Sequence, residues 1–199
     1  MTKSKKPTNK KPEKIHKKLI IVHGWKGAPE QGWYPWLKSE MERKDWEVHI
    51  PALPNSNNPK IHEWLGSLAQ VADSVDENTY MVGHSLGCVT ILKFLENLDE
   101  KQKIGGVILI AGFDNPLGIK EVENFFQGPL NWDKAKRTCK KFIVIHSEDD
   151  HGVPADNGIR MKNNLGAKKI LVNGYKHFSG DDGVNSLPLV IEELLEISS

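Results

Sequence analysis

Four positions in this chain carry residue types that could act together: Ser85, the adjacent Asp149 and Asp150, and His177. A serine hydroxyl is a weak nucleophile at neutral pH. It needs a base to take its proton and an acid to hold that base in one tautomer and one orientation. The order serine, aspartate, histidine along the chain suits acyl transfer from a nucleophile that sits in a tight strand-to-helix turn. Gly83-His84-Ser85-Leu86-Gly87 spells Gly-x-Ser-x-Gly. In such a turn, side chains at the two flanking positions would clash, and the serine sits at the apex with its hydroxyl exposed. The helix that follows aims its N-terminus, the positive end of its dipole, at any oxyanion formed there. The competing reading is a glycine-rich βα turn that only lets helix and strand pack closely.

The base must be chosen among eight histidines. His16 lies in a lysine-rich tail, His49 and His62 on regular elements, and His146 inside a strand. His84 is expected to point away from the site if Ser85 points into it. His151 and His177 remain, and His177 is preferred because it follows the last strand and precedes the last helix. For the acid, order along the chain favours the Asp149/Asp150 pair, only one of which can face inward. Asp114, Asp181 and Asp182 are further candidates, although Asp181 and Asp182 are expected to cap the last helix. His23-Gly24 directly after the first strand suggests where the second oxyanion donor lies. The expected donors are the backbone N–H groups of Leu86 and Trp25, with His23 bracing the loop.

These residues need a scaffold that delivers them to one place. Continuous apolar runs at 18–23, 106–111 and 141–147 read as strands buried on both faces of a parallel sheet. Shorter runs at 46–50, 79–82 and 169–172 complete six expected strands. Helical spacing appears at 33–44, 61–75, 89–98, 155–165 and 184–197, the last with Pro188 near its start. Strands alternating with helices predict a three-layer α/β/α sandwich, and ligands in such sheets bind beyond the carboxyl ends of the strands. Ser85, Asp149/Asp150 and His177 each follow a strand, so all fall at that end. Residues 113–137 form a connection longer than usual, rich in glycine, proline and aromatics, which reads as a small cap or crossover beside the site. Phe125 and Phe126 in it read equally as core or pocket lining.

Bulk properties narrow the function classes. The 199 residues suit one domain, here expected at 18–199, after a disordered lysine-rich tail at 1–17. A net charge of +1 gives no general bias toward nucleic acid. The two cysteines, Cys88 and Cys139, form neither a disulfide framework nor a zinc-type cluster, and the serine chemistry read above requires no metal or organic cofactor. No apolar run reaches transmembrane length, and the N-terminus lacks a secretory apolar segment, so a cytoplasmic location without a membrane partner is the expectation.

Five separated motifs then carry a resemblance. His23-Gly24-Trp25 with Trp33-Tyr34-Pro35-Trp36-Leu37, the Ser85 turn, Asn131-Trp132-Asp133-Lys134, Ser147-Glu148-Asp149-Asp150 with Val153-Pro154, and Gly174-Tyr175-Lys176-His177-Phe178 occur in one order. Together they resemble the small serine hydrolases related to retinoblastoma-binding protein 9. The resemblance implies a compact α/β-hydrolase fold with about six parallel strands in the order 2-1-3-4-5-6 and a Ser85–Asp150–His177 triad, with the second aspartate of the pair as the acid. The expected activity is that of a serine hydrolase of carboxylesterase type, and the small cap predicts an accessible site suited to small-molecule esters or amides. Gly24, Trp33, Tyr34 and Phe113 are expected to line the pocket. The alternatives are an acyltransferase or a non-catalytic binding protein on the same fold. A retinoblastoma-type partner is not expected, because no Leu-x-Cys-x-Glu segment occurs.

Overall fold

The structure is a computed structural model that describes residues 16–199. Expectations for the lysine-rich tail up to residue 15 lie outside the described residues. Lys17 already joins the fold: its carbonyl accepts the Glu47 N–H at 2.9 Å and its Nζ reaches the Ser198 carbonyl at 2.7 Å.

The elements run β1 (Lys18–Val22), α1 (Tyr34–Glu42), β2 (Glu47–His49), α2 (Ile61–Ala72), β3 (Thr79–His84), α3 (Leu86–Asn97) and β4 (Gly106–Ile110). A 3₁₀ helix (Lys120–Phe126) and α4 (Trp132–Thr138) follow. The chain ends with β5 (Phe142–Ser147), α5 (Asp156–Leu165), β6 (Lys168–Val172) and α6 (Pro188–Ile197). The sheet order is β2-β1-β3-β4-β5-β6, as the sequence and its resemblance led one to expect, and every pair is parallel.

The apolar strands are continuous rather than alternating because each faces two cores. Ile20, Val22, Met81, Val107 and Leu109 face one of them, with Trp64 and Leu68 of α2, Leu92 of α3 and Met161 of α5. Leu19, Ile21, Val82, Ile108 and Ile145 face the other, where Leu37 and Met41 of α1 meet Val190 and Leu194 of α6. Burying a side chain of this size stabilises the fold by about 1.5–3 kcal/mol. The two clusters therefore make the central strands rigid supports for the loops at their carboxyl ends.

β1 connects through α1 to β2 on one side, while β3 lies on the other side of β1. The loops after β1 and β3 thus part at this point and open a crevice. Among the boundaries that differ from the expectation, one shapes the site. The last helix starts at Pro188, not at residue 184, and residues 173–187 are an irregular segment. Leu187 precedes the proline with φ −143° and ψ 73°. The proline ring drives its predecessor out of the helical region, which fixes the helix start.

Candidate active site

Ser85 has φ 55° and ψ −122°, a backbone conformation that costs a non-glycine residue about 1–3 kcal/mol. It is held there by its own N–H, which donates to the Ile110 carbonyl at 2.8 Å, and by the Cys88 N–H on the Ser85 carbonyl at 3.0 Å. The flanking glycines are required by space. A Cβ on Gly83 would lie 2.9 Å from the Cys88 backbone, and one on Gly87 would lie 2.2 Å from the Val22 carbonyl oxygen. The Cys88 thiol sits fully buried behind the turn and donates to the Gly83 carbonyl at 3.2 Å and the Ile110 carbonyl at 3.4 Å. Burial pushes that thiol well above its ordinary range.

The structure brings Ser85, His177 and Asp150 into one hydrogen-bonded chain. His177 Nε2 lies 3.0 Å from Ser85 Oγ. His177 Nδ1 lies 2.9 Å from Asp150 Oδ2 and 3.1 Å from Oδ1. Because a carboxylate only accepts, Nδ1 carries the proton and Nε2 is left free to accept from the serine hydroxyl. The Asp150 side chain is fully buried. Its Oδ1 also accepts the Gly152 and Val153 N–H groups at 2.8 and 2.9 Å. Burial alone would raise this carboxyl, but the His177 ring and those two N–H groups hold it below the ordinary carboxylate range.

Asp149 does different work. Its Oδ1 accepts from the Ser147 hydroxyl and from the N–H groups of Gly174 and Lys176 at 3.0 and 3.2 Å. It braces the loop that presents His177 and does not touch the ring. His151, the rival base, is exposed, and Asp114 is engaged by Arg160 at 2.8–3.1 Å.

Asp182 corrects an expectation. It does not cap α6, which starts six residues later. Its Oδ2 accepts the His177 N–H at 3.1 Å, the Ser179 N–H at 3.3 Å and the Ser179 hydroxyl at 2.7 Å. His84 corrects another. Its ring does not turn away from the site but borders it, with Nε2 2.7 Å from the His177 carbonyl. His23 behaves as expected: it is buried, and its Nδ1–H donates to the Gly24 carbonyl at 2.9 Å. Its Nε2 accepts the Leu53 N–H at 3.2 Å.

Gly24 packs directly on the serine. A Cβ there would lie 2.9 Å from Ser85 Cβ and 3.4 Å from Oγ. Neither the Trp25 N–H nor the Leu86 N–H has an acceptor among the described residues.

A cleft of about 490 Å³ opens over these groups. The loop after β1 supplies Gly24, Trp25, Lys26 and Gln31, and the segment after β6 supplies Ser179, Asp181 and Asn185. Trp33 and Tyr34 line it. Phe113 does not. It is buried against Phe126, with ring centroids 5.8 Å apart, and no residue of 113–137 borders the cleft. Phe125 is core as well, packed edge-on against Trp64 at 5.3 Å. The long connection turns toward α2, where Asn124 accepts the Ile61 N–H at 2.8 Å and donates to the Pro59 carbonyl at 2.9 Å. Its aromatics gave no sign of this, since burial in a core and exposure in a pocket select the same residue types. Among the described residues, no helix is long and apolar enough to cross a membrane.

Comparisons with known proteins agree with this architecture. The chain is 35% identical over 179 residues to YdeN of Bacillus subtilis strain 168, covering 89% of this chain and 94% of that protein. The crystal structure of the YdeN gene product superposes with a TM-score of 0.87 at 34% identity, over 91% of this chain and 98% of that one. Serine hydrolase RBBP9 of Rattus norvegicus is 24% identical over 183 residues, covering 89% of this chain and 95% of its own length. The family model described as Serine hydrolase matches residues 19–196, and the chain belongs to that family of hydrolases.

Proposed function

We propose that this hydrolase cleaves small carboxylic esters or amides through an acyl-enzyme on Ser85. The observation that carries the reading is the unbroken hydrogen-bonded chain from Asp150 through His177 to Ser85 Oγ. Ser85 Oγ attacks the substrate carbonyl carbon as its proton passes to His177 Nε2. Asp150 keeps the ring in the tautomer that accepts this proton and stabilises the imidazolium that forms. The Leu86 and Trp25 N–H groups hold the oxyanion, each contributing about 3 kcal/mol. His177 then gives its proton to the leaving alcohol or amine, and the C–O or C–N bond breaks. Water repeats the sequence on the acyl-enzyme, delivering a proton to His177 and hydroxide to the carbonyl, and Ser85 recovers its hydroxyl. Every step uses groups of this chain and water.

The cleft geometry supports small substrates. About 490 Å³ suits a compact molecule, and the rim is polar, with Lys26, Gln31, Asp181 and Asn185. Selectivity then resides in the loops after β1 and β6. The test is covalent labelling with a fluorophosphonate probe. One adduct on Ser85, lost in Ser85→Ala, is the expected result. No adduct on the wild-type chain, or undiminished labelling of the variant, would overturn the nucleophile assignment.

A further inference from the structure

The turn that carries Ser85 places His84 one residue earlier, and His84 is fully buried yet fully partnered. Its two ring nitrogens meet partners of opposite kind. Nε2 lies 2.7 Å from the His177 carbonyl oxygen, which can only accept, so Nε2 carries the proton and donates. Nδ1 is then a lone pair, and the Tyr34 hydroxyl, 2.6 Å away, donates to it. The opposite tautomer would set a lone pair against the carbonyl oxygen. The His177 carbonyl thus fixes the tautomer of His84, and the Tyr34 hydroxyl, free to donate, completes it at the other nitrogen. Burial holds the ring neutral by lowering it to about 3, so the arrangement does not reverse across the neutral range.

The loop needs such a grip. Lys176 and Phe178 on either side of His177 both have positive φ, 47° and 57°. Conformations of this kind persist only where the surroundings over-determine them. The His177 peptide unit is held at both ends: Asp182 takes its N–H at 3.1 Å and His84 its carbonyl at 2.7 Å. The next carbonyl, of Phe178, accepts from Trp33 Nε1 at 2.9 Å.

We propose that His84 is a positioning residue for the reaction at Ser85: held on its other nitrogen by the Tyr34 hydroxyl, it ties the backbone of His177 to the turn that carries the serine. Serine and base are then joined twice. One link runs through the reacting atoms, and the other runs through the residue next to the serine and the peptide of the base. The second link keeps the Nε2–Oγ distance while the proton moves and the first link changes character. It differs from the roles of Ser85, His177 and Asp150 because His84 touches none of the reacting atoms.

This inference rests on the reaction proposed above, and the experiment separates the two. Hydrolysis of p-nitrophenyl acetate is measured for wild type, His84→Ala, His84→Gln and Tyr34→Phe, with Tm recorded for each. The wild type is also labelled with fluorophosphonate; failure of that labelling counts against the reaction itself. With labelling intact, His84→Ala is expected to lower kcat about 10- to 100-fold while KM moves less than about threefold. His84→Gln, whose amide nitrogen reaches about as far as Nε2, is expected to recover most of that loss. Tyr34→Phe is expected to lower kcat about 3- to 10-fold, also at constant KM. The proposal is overturned if His84→Ala keeps kcat within twofold, if Gln does no better than Ala, or if kcat and KM change together. Should His84→Ala fail to fold, Tyr34→Phe decides, since it removes only the oxygen that faces His84 Nδ1: a loss in kcat at constant KM supports the proposal, and unchanged kcat or a joint change in kcat and KM overturns it.

Discussion

Two irregular stretches of this molecule are of similar character in sequence and opposite in use. Residues 173–187 follow β6 and border the cleft; residues 111–131 follow β4 and do not. Both contain several glycines and aromatics. The second is held mainly by apolar burial, with Val122 and Phe125 almost completely enclosed and Asn124 pinning it to α2. The first also buries Phe178 and Leu187, but in addition polar side chains grip its backbone one group at a time: Asp149 on Gly174 and Lys176, Asp182 on His177 and Ser179, Trp33 on Phe178, His84 on His177. Apolar packing tolerates small shifts because it is non-directional. Hydrogen bonds to individual peptide groups set position and angle together. A loop that must hold a proton acceptor 3.0 Å from a hydroxyl calls for the second kind of restraint.

Removing the reacting hydroxyl marks the extreme of that contrast. Ser85→Ala is expected to cut kcat by about 10³- to 10⁶-fold with the Tm nearly unchanged, read by ester hydrolysis and a thermal melt. Next comes the pair of adjacent carboxylates. Asp150→Asn is expected to lower kcat by roughly 10⁴-fold, because an amide no longer holds the productive tautomer. Asp149→Asn is expected to cost far less in rate, since it loosens the loop without touching the ring; a larger loss from Asp149→Asn would exchange the two roles. The comparison is most direct with Asp182→Asn against Phe126→Ala. The first is expected to lower kcat about tenfold, and the second to leave kcat within twofold while costing about 1–3 kcal/mol in stability by denaturant melts. Equal kinetic effects would erase the distinction between the two stretches.

The smallest effect concerns acid. Three buried histidines, His23, His84 and His146, are held below the ordinary histidine range, in each case chiefly by burial. Each stays neutral in the fold while the unfolded chain takes up a proton below about pH 6.5. Unfolding therefore binds protons in this range, and stability falls as pH drops. For His84 the fall continues toward about 3, approaching about 1.4 kcal/mol per pH unit. Asp150 acts in the same direction but only below the ordinary carboxylate range, because its folded carboxyl is depressed. Urea melts at pH 7 and pH 5 measure the slope, and flat stability between them would show that these rings are charged in the fold.

Much of this was readable from residue types. Ser85, His177 and the aspartate pair announced themselves because a strand, a turn and a helix are each written in local spacing, and the sheet order agreed with the resemblance. The parts that were not readable share a cause. Asp182 acts on a backbone N–H five residues earlier, and no pattern of side chains records that bond. Val184 and Leu187 are both buried at helical spacing, so an irregular segment imitated the first turn of a helix. The direction of the His84 ring follows from the Ser85 dihedrals, a feature of the folded turn rather than of the pattern Gly-x-Ser-x-Gly. Phe113 illustrates the reverse error: an aromatic just past a strand end lies as readily beneath a surface as upon one.

The thiol behind the turn gives this site a built-in timer. Cys88 is fully enclosed and protonated, and its sulfur contacts the carbonyls at the ends of β3 and β4. An alkylating reagent can reach it only after the strand-to-helix junction has opened. In the regime where reclosing outruns alkylation, the modification rate of the Cys88 peptide reports the free energy of that local opening. Comparison with Cys139, which is also buried but lies at the far end of α4, would show whether the junction opens alone or only with the whole domain.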